Sequence, residues 1–193
     1  MRLTILILFF LYFGQLCSQD LNFNTHLVQS AFSFEQRSGA TPMHVGWSAG
    51  LDVIVRDAAT VIMPGIHFQK VSVLPDKLDF ANPYYKRNDI NVIKIPLQVG
   101  GFAWKNKYTH LLLTGGPVGT FLLSVDDNPR LNEDDLNSLR AGAMVSASIR
   151  ILFITCHIQY EYGLTKIYLQ HGPSGVYDNS KERTLMMGLG VYF

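Results

Sequence analysis

His157 and Glu161 are the first residues in this chain that could do chemistry together. They stand four apart in a stretch, 152–164, that alternates apolar and polar residues. Ser146 and Ser148 come shortly before them. A serine, a histidine and a carboxylate are the parts of an activated nucleophile, and together they would suit a hydrolase acting on membrane lipids. On an extended strand, however, positions four apart are about 13 Å apart, too far for direct proton transfer. With Lys94, Gln98, Arg140, Arg150 and Gln159, the same His157 and Glu161 read more simply as a buried polar network that gives each charge a partner.

The other candidates are weaker. His26, His44, His67, His110 and His171 are scattered without metal-ligand spacing. Gly115, Gly116 and Pro117 lack the lysine and following helix of a phosphate loop, and read as close strand packing or a bulge. The stretch DDNPRLNEDD (126–135) is acidic but lacks the glycine and spacing of a calcium-binding hand. It reads as a solvated loop. No catalytic group, metal or cofactor is expected, so the sequence predicts a protein that is not an enzyme.

Composition sets the frame for these residues. The chain has 193 residues, 16% of them charged, against about 25% in an ordinary soluble domain. Twelve Phe, nine Tyr and two Trp make it rich in aromatics. A net charge of +1 gives no electrostatic footprint for nucleic acid.

Residues 1–18 read as a cleaved signal peptide, leaving 19–193 as one domain. Arg2 is followed by an apolar run over 3–13, broken only by Thr4, and Ser18 suits cleavage before Gln19. The run is short of the roughly 20 residues that span a bilayer as a helix. Leu16 is not the small residue that would mark Cys17 for acylation. Taking 18 residues from 193 leaves 175, without Arg2 and Cys17, so the remainder is neutral and Cys156 is alone. No internal disulfide is then possible. An exported chain without one must gain its stability from packing or from a membrane.

The rest of the chain alternates with period two. Leu185, Met187, Leu189, Val191 and Phe193 form one apolar face, opposite Met186, Gly188, Gly190 and Tyr192. Leu152, Ile154, Cys156, Ile158, Tyr160, Tyr162 and Leu164 oppose Phe153, Thr155, His157, Gln159, Glu161 and Gly163. Ala141, Ala143, Val145, Ala147 and Ile149 oppose Gly142, Met144, Ser146, Ser148 and Arg150. Ile95, Leu97 and Val99 oppose Lys94, Pro96 and Gln98. Such patterns are strands with one apolar face. Eight are expected, over 28–37, 44–56, 60–73, 90–103, 108–125, 138–149, 151–165 and 184–193.

From the second strand on, short links (57–59, 104–107 and a tight break near Arg150) take turns with long polar ones (74–89, 126–137 and 166–183). This is the layout of an antiparallel up-and-down transmembrane β-barrel, with lipid-facing apolar residues and long loops at one end. A soluble lipocalin-like binding protein is the alternative, and it would turn its apolar faces inward and its polar faces to water. Eight strands leave an interior filled by side chains, against about 16 for an aqueous pore. Tyr84, Tyr85, Trp104, Tyr108, Tyr160, Tyr162 and Tyr168 are candidates for interfacial aromatic belts.

Seven segments, in this order, carry a family resemblance: HVGWSAGLDV (44–53), MPGIHFQKVSV (63–73), IKIPLQVG (93–100), LTGGPVGTFLL (113–123), LRAGAMVSA (139–147), YEYGLTKIY (160–168) and LMMGLGVYF (185–193). From about residue 31 to 193 the chain resembles the PorT-like outer-membrane β-barrel proteins of Bacteroidota-type bacteria. The family carries an arginine just ahead of the first tyrosine of YEYGLT; this chain has Ile158 and Gln159 there, so no role of that arginine carries over. The resemblance implies an integral outer-membrane protein with no single activity. Its role would be structural, adhesive or accessory to envelope transport and secretion, and secretion-system components would be possible partners. Phe193, after alternating apolar residues, resembles the signal by which the outer-membrane insertion machinery recognises a barrel. The expected state is a monomer in a lipid bilayer.

Overall fold

The alternating segments form strands in the computed structural model, which describes residues 18–33, 43–57, 60–73, 88–126, 136–167 and 181–193. The strands are β1 (Ser18–Ser33), β2 (Met43–Asp57), β3 (Thr60–Val73), β4 (Asn88–Lys105), β5 (Thr109–Val125), β6 (Leu139–Ile151), β7 (Ile154–Gly163) and β8 (Lys181–Tyr192). Each pairs antiparallel with the next, and β8 returns to β1, closing the barrel. The seam runs from Asn22 opposite Tyr192 to Ser33 opposite Lys181. Two reciprocal backbone bonds between Leu21 and Phe193, of 3.1 and 2.9 Å, extend it. Closure removes the sheet edges, which lets a non-helical backbone sit in hydrocarbon. Among the described residues no helix is long and apolar enough to cross a membrane.

The connections 58–59, 106–108 and 152–153 lie at one end of the barrel; 34–42, 74–87, 126–138 and 164–180 leave from the other. Residues 1–17 of the expected signal peptide, His171, Tyr84, Tyr85, Tyr168 and most of the acidic stretch 126–135 lie outside the described residues.

Two strands differ from expectation. β1 is Ser18–Ser33 rather than 28–37. Its outward stripe of Leu21, Phe23 and Leu27 is interrupted by Thr25 and Gln29, and its inner face is Asn22, Asn24 and His26. Too little apolar periodicity was left to tell it from a polar linker. β7 begins at Ile154, after a two-residue turn of Leu152 and Phe153. Its alternation continues back through Leu152, and the turn has none of the Gly or Asn that usually marks one. Leu152 takes the left-handed conformation itself, with φ 57°. The Gly115–Gly116–Pro117 segment lies inside β5. A Cβ on Gly116 would run into the Leu97 carbonyl of β4, so the glycine permits a close strand approach.

The barrel is apolar outside and polar inside. Leu27 is 74% exposed, Leu189 61% and Val145 59%. Trp104 and Tyr108 are exposed at the short-turn end, and Tyr160 on the outer face of β7. Trp47 and Phe68 add an unforeseen aromatic contact on β2 and β3, with centroids 5.5 Å apart. The interior also has apolar layers. Ile54, Val61, Met63 and Leu112 pack with Phe102 and Tyr192; Val28, Val71, Val118, Met144 and Met186 make a second cluster. Ile90, Val92, Val125, Leu136 and Ile167 make a third.

Candidate functional site

The polar side chains of the lumen fall into separate groups between these layers. In the first, Lys94 of β4 is 2% exposed, and its Nζ donates to Glu161 Oε2 of β7 at 2.5 Å. Glu182 of β8 stands 3.8 Å from the same Nζ and accepts from Arg140 Nη1 of β6 at 2.8 Å. Thr184 Oγ1 donates to Glu182 at 2.9 Å and contacts Ser30 Oγ at 2.9 Å. Two cations and two carboxylates thus balance inside the wall, as buried charges must.

Gln98 belongs to a second group. Its Oε1 accepts from Thr114 Oγ1 at 2.6 Å and from Ser146 Oγ at 2.8 Å. At the short-turn end, Arg150 lies over the Tyr192 ring, 4.0 Å from its centroid. Arg150 Nη1 is 3.9 Å from Asp20, whose carboxylate also pairs with Arg56. Arg56 donates to the Tyr192 hydroxyl at 3.1 Å.

His157 belongs to a fourth group, and here the structure gathers residues that look scattered in the sequence. His26 of β1 packs against His67 of β3 and His157 of β7, with ring centroids 5.9 and 5.6 Å away. Asp52 of β2 holds His67 Nε2 at 2.8 Å. Asn24 Nδ2 donates to the other oxygen of Asp52 at 2.5 Å. Asn22 Nδ2 stands 3.3 Å from His157 Nε2. Gln159 is buried, and neither of its amide atoms has a hydrogen-bond partner among the described residues.

All seven residues expected in the lumen, Lys94, Gln98, Arg140, Arg150, His157, Gln159 and Glu161, therefore lie on inner faces, but they are shared among groups. Sequence reasoning missed Glu182, Asp52, Asn22 and Asn24. Glu182 falls within the expected long link 166–183, although it keeps the parity of Thr184 and Met186. Asp52 stands alone among apolar and small residues in GWSAGLDVIV, a signal that it needs a buried partner.

The serine–histidine–acid possibility can be checked against this geometry. Ser148 lies opposite His157 in register. The carboxylate at this level, Asp52, is bonded to His67, and His157 Nε2 faces Asn22. Glu161 is bonded to Lys94. Among the described residues no Ser–His–carboxylate relay is closed.

A barrel whose outer surface is aliphatic and aromatic, and whose charges are paired inside, can be solvated only by lipid on that surface. No family and no curated protein matches the sequence. Among solved structures the chain is similar to Neisserial surface protein A, at 11% identity over 91% of this chain and 97% of that one, with a TM-score of 0.55. It also aligns with Ail, the attachment invasion locus protein of Yersinia pestis, at 13% identity over 90% and 98% of the two chains, with a TM-score of 0.45. At this identity the likeness to the Neisserial protein is one of fold. The chain is an outer-membrane β-barrel. The lipocalin-like alternative fails because the apolar faces of this outer-membrane barrel point outward on every strand with described side chains. Its lumen is filled by side chains and layered by apolar clusters.

Proposed function

We propose that this barrel is a non-catalytic, monomeric outer-membrane protein that works through the four long connections at one end, as an adhesive or secretion-accessory component. The observation that carries this reading is the filled lumen. With apolar layers and a buried ion network across the interior, the surface left for partners is the loop end. The seven matching segments favour membership of the PorT-like family, and with it a place in envelope transport or secretion.

The experiment replaces 74–87 with a two-residue Asn-Gly turn, which suits a hairpin, and shortens 168–180, sparing the packed Ile167. The shortened protein should still give a heat-modifiable band in outer membranes, while adhesion to host surfaces, or delivery of secreted proteins, is lost. If the shortened barrel supports both at the full level, the loops are not the working surface.

Phe193 is the proposed insertion signal. Its backbone bonds to Leu21 close the seam whatever its side chain, so Phe193→Ala separates the two roles. The variant should refold normally in detergent but accumulate unassembled in cells. Equal assembly of variant and parent in cells would leave Phe193 as a lipid-facing residue only.

A further inference from the structure

We propose that the outer face of β7 and β8, at the rim where the long connections leave, docks the phosphate-bearing headgroup of an outer-leaflet glycolipid through Arg183 and Lys181 beside Tyr162. Neither the lumen groups nor the loop-based function uses these three residues.

Strand parity puts all three on the outer surface. In β8, Lys181 and Arg183 alternate with the buried Glu182 and Thr184, and Tyr162 of β7 stands opposite Arg183 in register. The Arg183 guanidinium lies 5.6 Å from the Tyr162 ring centroid, and the Lys181 ammonium 5.9 Å. Both are within reach of a cation–π contact, so two cations converge on one ring. Arg183 is exposed and has no carboxylate partner among the described residues. Glu182, between the two cations in sequence, turns into the lumen, where it accepts from Arg140 at 2.8 Å. The carboxylates of β6, β7, β8 and β1 are Asp20, Glu161 and Glu182, and all three are engaged with cations of the lumen. No carboxylate on the outer face of these strands therefore answers Arg183. The opposite side of the barrel is built differently: at the same rim, Lys70 of β3 is met by Asp89 of β4 at 2.7 Å.

The depth of the site fits a headgroup. The outward apolar stripe of β8 runs from Leu185 to Phe193. At about 3.3 Å per residue and a tilt of about 40°, it covers roughly 20 Å of an apolar band about 25 Å tall. Arg183, two residues further, stands at the edge of that band. In outer-membrane barrels the long connections face out of the cell, so this edge meets the outer leaflet, whose glycolipids carry phosphate. A guanidinium offers phosphate two parallel N–H donors and is more weakly hydrated than an ammonium. A tyrosine suits this level, with its ring toward the acyl chains and its hydroxyl toward water. Tyr160 and Leu185, paired in register one step deeper, continue the wall that an acyl chain would follow.

The test uses the whole barrel, folded in detergent and mixed with lipid A that carries its phosphates, with bound lipid counted by native mass spectrometry. The expected result is one lipid A retained per barrel. Arg183→Gln should weaken that binding about 10–100-fold, the effect of losing a charged hydrogen-bond donor. Arg183→Lys should fall between the two, because it keeps the charge but loses the fork. Lys70→Gln, at the paired side of the rim, should change nothing. Heat-modifiability of each variant shows that it is folded. The proposal is overturned if dephosphorylated lipid A or phosphatidylglycerol is retained as well as the phosphorylated lipid, since the face would then be an ordinary lipid or anionic-lipid contact. It is equally overturned if the folded double variant Lys181→Gln/Arg183→Gln retains lipid A as the parent does.

Discussion

Replacing Lys94 by Met should cost the folded barrel about 3–5 kcal/mol, the usual effect of stranding one member of a buried ion pair. Lys94 is 2% exposed and its nearest partner, Glu161, is 3% exposed. Removing the ammonium leaves Glu161 without its 2.5 Å partner and beside the carboxylate of Glu182. Arg140 is already committed to Glu182 at 2.8 Å. Urea unfolding in lipid vesicles measures the loss. The double variant Lys94→Met/Glu161→Met should recover most of it, because an apolar pair of similar volume needs no counter-charge. The loss should also change little with salt, since a pair inside the wall is poorly screened. A single-variant loss below about 1 kcal/mol is the value of an exposed surface pair, and would mean that water reaches Lys94.

The second large effect lies on the opposite face of the wall. Leu189→Arg puts a charge on a side chain that is 61% exposed, at the centre of the outward apolar stripe that runs from Leu185 to Phe193. In a bilayer this should destabilise the barrel by about 2–4 kcal/mol, against about 0–1 kcal/mol for the same change near an interface. Phe193→Arg, at the end of the same strand, supplies the interfacial comparison. On a water-facing surface both changes would stay within about 0.5 kcal/mol. Urea unfolding of the two variants in vesicles decides between lipid and water on this face. Equal and negligible effects would refute the membrane assignment.

The fold was largely readable because a strand in lipid obeys a simple rule. One face must be apolar along its whole length, and the period of two makes that visible in β4, β6, β7 and β8. The same rule explains both misreadings. In β1, Thr25 and Gln29 interrupt the outward stripe and the inner face is polar, so the segment resembles a linker. At Leu152 the turn carries the same apolar alternation as the strand after it, and only the backbone conformation marks it.

The candidate site was legible in kind but not in arrangement. Strand parity alone put Lys94, Gln98, Arg140, Arg150, His157, Gln159 and Glu161 on inner faces. It could not pair them, because partners across a lumen depend on closure and stagger rather than on separation along the chain. Lys94 and Glu161 come from β4 and β7, which share no edge.

By itself, then, the sequence determined the all-β class, the alternation of short and long connections, and which face of most strands meets lipid. Each of these follows from local periodicity and from what a bilayer tolerates. Only the tertiary structure decided that the rings of His26, His67 and His157, from β1, β3 and β7, meet in the lumen, and that Asp52 and Glu182 complete the buried groups. Those strands are not neighbours in the sheet. Closure of the barrel, with its stagger, brings their inner faces together, and no spacing along the chain encodes that distance.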